Sequence, residues 1–193
     1  MGLFDALLGR RAVKGPAASE RLFALSTAYV TLQTEYSISS AGVAGIVFQP
    51  LATADFQAMV KDMVEVVKAT ASEMGASVES KDDDYGFRWL IVRDPQAAVE
   101  DLVVTINGVS SGVEDGGYGE RLLCAVFAFK DSQGQPVNFI YNYKRGTWYP
   151  FVPADGAQKR STERELQLKA RLADELPIEP ELERWFPLWG IPF

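Results

Sequence analysis

The amino-acid sequence predicts an α+β fold: an antiparallel sheet built from helix–strand–strand (αββ) units, with the helices packed on one face as a two-layer sandwich. Segments with apolar residues at helical spacing alternate with pairs of short strand-like segments. Short turns join the strands of each pair, and such links require antiparallel neighbours. The composition, with 47% hydrophobic and 23% charged residues, is typical of a folded globular protein.

Four segments are predicted to be helices. The first begins near residue 19. The other three span 54–74, 96–113 and about 162–176. The second is the clearest, since Gly75 directly after it favours a helix stop. Asp94 followed by Pro95 indicates the start of the third helix. Thr162 and Glu165 have the spacing of a capping box at the start of the fourth.

The strands are predicted from runs of β-branched, aromatic and other apolar residues. They cover 30–35, 41–48, 76–80, 87–92, 121–130, 137–144 and 147–151. A polar turn separates the first two strands, and loop 131–136 joins two later ones as a hairpin.

A short pattern occurs twice in the chain. Tyr85-Gly86-x-Arg88-x-Leu90 returns 33 residues later as Tyr118-Gly119-x-Arg121-x-Leu123. One interpretation is a repeated helix–turn–strand unit, and the alternative is chance similarity in a short pattern.

The composition excludes several classes of function. The chain has no histidine, which removes Ser-His-Asp triads, Cys-His dyads and histidine metal sites within one chain. The lone Cys124 excludes an internal disulfide and fits a reducing compartment, so a cytoplasmic location is predicted. A net charge of −7 argues against nucleic acid as a partner. No segment has the length and apolarity of a membrane-spanning helix, and the start does not resemble a secretion signal.

Two polar motifs have an ordinary interpretation and a functional one. The acidic run at 82–84, with Glu114 and Asp115, offers oxygen ligands for Mg²⁺ or Ca²⁺, but solvated turn residues are the favoured interpretation. The glycines at 116–119 resemble a phosphate-binding loop, yet they follow a helix instead of preceding one. No cofactor, metal ligand or catalytic residue is therefore predicted.

Residues 1–16 are predicted to be an amphipathic unit separate from a single domain over 17–193. The Gly15-Pro16 pair separates the two. Apolar side chains cluster on one side of a helical wheel and basic residues follow: Leu3, Phe4, Leu7, Leu8, Arg10, Arg11 and Lys14. The pattern favours contact with an anionic membrane surface or a partner, and the alternative is docking on the domain.

The C-terminal segment after residue 176 is unusually apolar for a chain end. Its aromatic residues include Trp185, Phe186 and Trp189. They are expected to be buried as the tail wraps over the sheet, and the alternative is a partner-binding surface.

Several sequence blocks resemble the family of PspA-associated proteins called PspAB. They are the start Met1-Gly-Leu-Phe-Asp-Ala-Leu-Leu-Gly-Arg10, Tyr85-Gly-x-x-Trp-Leu-x-Val-Arg-Asp94, Leu122-Leu-Cys-Ala-Val126, Tyr143-Lys-Arg-Gly-Thr-Trp-Tyr-Pro-Phe151 and Leu176-Pro-Ile-Glu-Pro-x-Leu-x-Arg-Trp-Phe-Pro-Leu-Trp-Gly190. The resemblance implies a bacterial accessory protein of the phage-shock envelope-stress system, whose central member is the membrane-binding protein PspA. It implies no catalytic residues.

Two hypotheses about function follow. The first is a non-catalytic adaptor that binds PspA or another component of the system, with peripheral membrane contact. The second is a small-molecule binder or an enzyme that uses neither histidine nor cysteine chemistry. An exposed apolar surface would favour the first, and a deep pocket with converging carboxylates would favour the second.

Overall fold

The structure, a computed structural model, describes residues 16–73, 75–156 and 158–193, with side chains described from residue 21 onward. Its helices are α1 (Pro16–Tyr36), α2 (Ala54–Glu73), α3 (Val99–Asp115) and α4 (Thr162–Leu172). Its strands are β1 (Ser39–Phe48), β2 (Ser77–Asp82), β3 (Arg88–Arg93), β4 (Leu122–Lys130), β5 (Pro136–Asn142), β6 (Thr147–Phe151), β7 (Pro153–Ala154) and β8 (Lys159–Arg160). Residues 1–15 of the predicted N-terminal amphipathic unit lie outside the described residues, and Pro16 begins α1.

Six of the strands form one sheet in the order β2-β3-β1-β4-β5-β6. Every neighbouring pair in this sheet is antiparallel, as predicted. Strand β1 lies between β3 and β4, which are far apart in sequence. The short strands β7 and β8 form a separate two-stranded ribbon.

The two faces of the sheet bury different parts of the chain. Alternate residues of the strands, such as Ile46, Leu90 and Phe127, face α1, α2 and α3 and form the main core with them. The residues between them, such as Val47 and Ile91, face away from the helices and form a second cluster with the C-terminal tail. The predicted α+β class, the antiparallel sheet and the packing of helices on one face are confirmed.

The first helix is longer than predicted and replaces a predicted strand. The strand over 30–35 is wrong, because the helix that starts at Pro16 continues to Tyr36. The buried residues Leu25, Ala28 and Leu32 recur at helical spacing on the side of α1 that meets the core. The β-branched residues Val30 and Thr31 favour a strand, but in the helix Val30 is exposed to solvent.

One predicted helix start and one predicted capping box are wrong, although α4 begins at Thr162 as predicted. Helix α3 begins at Val99, not beside Asp94, because Asp94 instead accepts the amide hydrogens of Gln96 and Ala98 at 2.9 and 2.8 Å. These bonds form a turn before the helix. The carboxylate of Glu165 does not close a capping box, since it accepts the amide of Val152 at 2.8 Å in the core.

The duplicated pattern does not mark one repeated unit. Two helix–strand–strand units exist, α2-β2-β3 and α3-β4-β5. The copy at Tyr85 precedes the second strand of its unit, whereas the copy at Tyr118 precedes the first strand of the other. The repeat interpretation is therefore wrong in detail, although both copies lead into the strands that flank β1.

Candidate partner-binding surface

The C-terminal tail begins by extending the sheet. Trp148 of β6 donates its amide to the carbonyl of Pro177 at 2.9 Å, and Glu179 donates its amide back to Trp148 at 2.8 Å. Trp148 and Ile178 thereby form a parallel bridge. The tail covers the backbone groups of β6 there, which would otherwise form an open sheet edge.

A buried carboxylate holds the tail at this point. Glu179 accepts hydrogen bonds from Arg145 at 2.6 Å and from the hydroxyl of Thr147 at 3.1 Å, while its own side chain is only 2% exposed. The guanidinium of Arg184 lies 3.7 Å away. Burial alone would raise the pKa of Glu179, but hydrogen bonds from Arg145, the amide of Glu181 and Thr147 together hold it below its ordinary value. Glu179 is therefore an ionised anchor.

Trp185 is the main apolar anchor of the tail. Its indole donates a hydrogen bond to the carbonyl of Glu179 at 3.0 Å and stacks on Tyr149 with 6.2 Å between ring centroids. The ammonium of Lys169 lies 5.6 Å from the centroid of the indole ring. Trp185 retains only 4% of its surface exposed, so it holds the tail in place and is not available to a partner.

A second buried ion pair fixes the backbone at the same place. Arg160 pairs with the buried Glu165 at 2.7 Å and donates a further hydrogen bond to the carbonyl of Trp185 at 2.7 Å. Its guanidinium also lies over the ring of Phe151, 5.5 Å from the centroid. Arg160 thus ties α4, the sheet and the tail together.

Phe186 follows Trp185 directly in the chain, but its side chain faces solvent. Its side chain is 60% exposed, although the hydroxyl of Tyr149 donates a hydrogen bond to its carbonyl at 3.1 Å. Leu182, one turn earlier, is 43% exposed, and Leu166 on α4 is 40% exposed. We call these three apolar residues, Leu166, Leu182 and Phe186, the Phe186 surface. The backbone at Phe186 is held by Tyr149 while the Phe186 ring faces solvent.

The last residues cross the outer face of the sheet. Trp189 is half-buried and packs edge-on against Phe151, with the centroids 5.1 Å apart. Phe193 packs edge-on against Trp89 at 6.0 Å. A Cβ atom on Gly45 of β1 would lie 2.7 Å from the Phe193 ring, so the absence of a side chain at Gly45 makes room for it.

The structure therefore separates the three aromatic residues that the sequence grouped together. The expected burial is right for Trp185, which is enclosed, and wrong for Phe186, which is exposed because its neighbour occupies the space against Tyr149. Trp189 is intermediate. The predicted contact residues at the N-terminus, Leu3, Phe4, Leu7, Leu8, Arg10 and Arg11, lie outside the described residues.

The acidic turn lies at a cleft formed with the end of the tail. This open cleft, of about 740 Å³, is lined by the turn and by residues 189–193. Asp83 accepts hydrogen bonds from the amides of Tyr85 and Phe87 and from the indole of Trp89. A hydrogen bond from Arg88 lowers the pKa of Asp82, against a smaller opposing effect of burial. Both carboxylates thus stabilise the hairpin.

Two other ionisable groups are kept in their neutral forms by burial. Burial raises the pKa of the Cys124 thiol to about 12 and that of the Tyr141 hydroxyl to about 12. Within residues 16–193 as described, no group of three or more Cys, Asp or Glu side chains is arranged to hold a metal ion.

Sequence reasoning missed the polar residues that position the surface. Glu179, Arg145, Arg160 and Glu165 form pairs between segments far apart in the chain, and no local spacing indicates them. One available signal was Glu179 itself, a charged residue between Ile178 and Pro180 in an otherwise apolar extended stretch.

Comparison with known proteins places the whole chain in one group. A family model described as "PspAB: PspA associated protein B" matches residues 1–193. The comparisons with curated proteins and with solved structures gave no match. In the part of the chain that the structure describes, no helix has the length and apolarity needed to cross a membrane.

Proposed function

The chain belongs to the PspA associated protein B family, and from that premise we propose that it is a non-catalytic adaptor that binds PspA through the Phe186 surface. The family description supports association with PspA. The adaptor role, its place in the bacterial envelope-stress response and its location in the cytoplasm at the inner face of the membrane are parts of the proposal.

The observation that carries the proposal is the exposure of Phe186 on a fixed backbone. An aromatic side chain that is 60% exposed gains free energy when a partner buries it. Its flanking residue Trp185 is buried and its own carbonyl is bonded to Tyr149, so little backbone entropy is lost on binding. Aromatic anchors of this kind often dominate the binding energy of interfaces.

The acidic balance of the chain supports a protein partner that presents a basic or apolar surface. The net charge of −7 gives no general attraction to anionic lipid or to nucleic acid. Membrane contact must therefore be local. We assign it to the N-terminal segment, where Leu3, Phe4, Leu7 and Leu8 precede Arg10 and Arg11.

A non-catalytic role is supported by the chemistry of the side chains. The chain contains no histidine, and Cys124 carries a raised pKa of about 12, so nucleophile–base pairs that need a histidine or a cysteine thiolate cannot form within it. The carboxylates Glu179 and Glu165 are engaged by arginines, which suits structural anchors.

The proposal is tested with purified full-length chain and PspA. Phe186→Ala should weaken binding by about tenfold or more, the range for an aromatic hot spot, while the circular dichroism spectrum and unfolding temperature stay unchanged. Val66→Ala is the matched control, because Val66 is 67% exposed on α2, which packs against β2 at the opposite edge of the sheet from β6 and α4. Binding is measured by isothermal titration calorimetry. Equal binding by wild type and Phe186→Ala would show that PspA does not bind through the Phe186 surface. Absence of binding by wild type would refute the whole proposal.

The membrane part is tested separately. Deleting residues 2–11 should leave the unfolding temperature nearly unchanged and reduce sedimentation with vesicles of anionic lipid or binding to PspA. A large loss of stability would mean that the segment belongs to the core. Unchanged binding to both targets would leave the segment without the assigned role.

A further inference from the structure

Two of the helices, α1 and α3, present an outer surface without charge. The chain has 19 basic and 26 acidic residues, yet α1 has none between Leu22 and Thr34, and α3 has none between Leu102 and Val113. Helices α1 and α3 pack against each other, so their outward-facing residues lie side by side on the same layer. We call this outer surface the charge-free face.

Apart from Gln33, its exposed residues are apolar or small. Val30 on α1 is 60% exposed, Phe23 is 37% exposed, and Val104 on α3 is 47% exposed. Thr27 of α1 and Gly108 of α3 are exposed with them. A Cβ atom on Gly108 would meet nothing within 4 Å, so this part of α3 offers room for the side chains of a neighbouring helix.

One polar side chain of this face is satisfied within its own helix. Thr34 donates its hydroxyl to the carbonyl of Val30 at 2.8 Å. A partner that covers Thr34 would therefore leave this hydroxyl paired.

The neighbouring helix α2 shows that the absence of charge is specific to this face. Its outward side exposes Lys61, Asp62, Glu65 and Lys68 around the single exposed valine, Val66. An ordinary solvated helix surface of this protein is thus strongly charged, whereas α1 and α3 are not.

We infer that the charge-free face binds a second copy of this chain, through a two-fold axis that places α1 of one copy against α1 of the other. In a two-fold interface each residue near the axis meets its own equivalent, so any charge there would oppose a like charge. A chain of net charge −7 has strong self-repulsion over charged surfaces, and the charge-free face is where two copies approach without it. Anionic or cationic partners gain no ionic contact on this face.

The first test measures the mass of the full-length chain by light scattering over a wide concentration series. Wild type should shift from monomer to dimer as concentration rises. Val30→Lys should weaken dimerisation by about tenfold or more, because the two-fold axis brings two lysines together. Val66→Lys is the matched control and should leave dimerisation unchanged, since Val66 is similarly exposed but lies on α2.

The second test uses cysteine crosslinking, which detects contact between two copies directly and does not require a variant that weakens the interface. The only natural cysteine, Cys124, has a thiol pKa raised by burial to about 12 and does not interfere. Thr27→Cys on α1 should form a disulfide-linked dimer under mild oxidation. Thr70→Cys, exposed on α2, should not.

Several outcomes overturn the inference. A monomeric mass at every concentration does so, and so does equal crosslinking at Thr27→Cys and Thr70→Cys. If the chain is monomeric but Val30→Lys abolishes binding to PspA, the face belongs to PspA and not to a second copy. Failure of the proposed PspA binding is seen independently, in the titration of wild type with PspA.

Discussion

Replacing Glu179 by glutamine tests whether one buried carboxylate holds the C-terminal tail on the sheet. Glutamine has nearly the same volume, but it carries no charge and one of its two terminal atoms is a donor. The donors of Arg145, Thr147 and the Glu181 amide converge on the carboxylate. An NH₂ group would therefore face a donor in at least one position.

The expected cost follows from the burial of the partners. Removing one member of a fully buried ion pair costs about 3–5 kcal/mol. Here the side chain of Glu179 is 2% exposed, but those of Arg145 and Arg184 are 39% and 35% exposed and regain water when the pair is broken. We therefore expect a loss of about 2–3 kcal/mol in the free energy of unfolding, close to that of a charged hydrogen bond.

The loss is measured by urea unfolding followed through tryptophan fluorescence at neutral pH. Glu181→Gln is the control, because Glu181 pairs with Arg184 at 2.7 Å but its side chain is 52% exposed. An exposed pair of this kind contributes less than about 1 kcal/mol. If Glu179→Gln and Glu181→Gln destabilise the protein equally, the buried carboxylate is not the anchor described above.

Two further predictions concern the same tail. Gly45→Ala should lower the free energy of unfolding by about 1–3 kcal/mol, because its Cβ would lie 2.7 Å from the Phe193 ring. In a Phe193→Ala background the loss should fall below about 1 kcal/mol, and a double-mutant cycle without coupling would contradict this. Since the folded pKa of Glu179 is below its ordinary value, its contribution is complete above the ordinary glutamate pKa of about 4.3 and is lost as pH falls through the lower folded value. Wild type should therefore lose more stability than Glu179→Gln on acidification from pH 6, as measured by thermal unfolding, and parallel pH curves would refute the assignment.

Local patterns predicted most of the sheet and helices. The apolar spacing in α2 and α3 is regular, and the strands from β3 to β6 are short runs closed by turns, so both were found near their true bounds. Helix α1 was misread after its first turns. Its outer residues Thr27, Val30 and Thr34 are uncharged, and its inner face includes the small Ala28, so the contrast between the two sides is weak.

The tail was predicted in outline but not in detail. Its aromatic content indicated docking, and the structure shows Trp185 docked on Tyr149. Which of two adjacent rings points inward depends on the path of the backbone. That path is set by Arg160 and Glu179, whose partners lie in other segments of the chain. Such long-range pairs leave no periodic signal in one sequence.

The most direct test of the central claim is hydrogen–deuterium exchange of the full-length chain with and without PspA. The account predicts that PspA slows exchange in the tail around Leu182 and Phe186 and in the adjoining part of α4, with little change in α2. Protection confined to α2 or to the β2–β3 hairpin would contradict it, as would an unchanged pattern under conditions where PspA is bound.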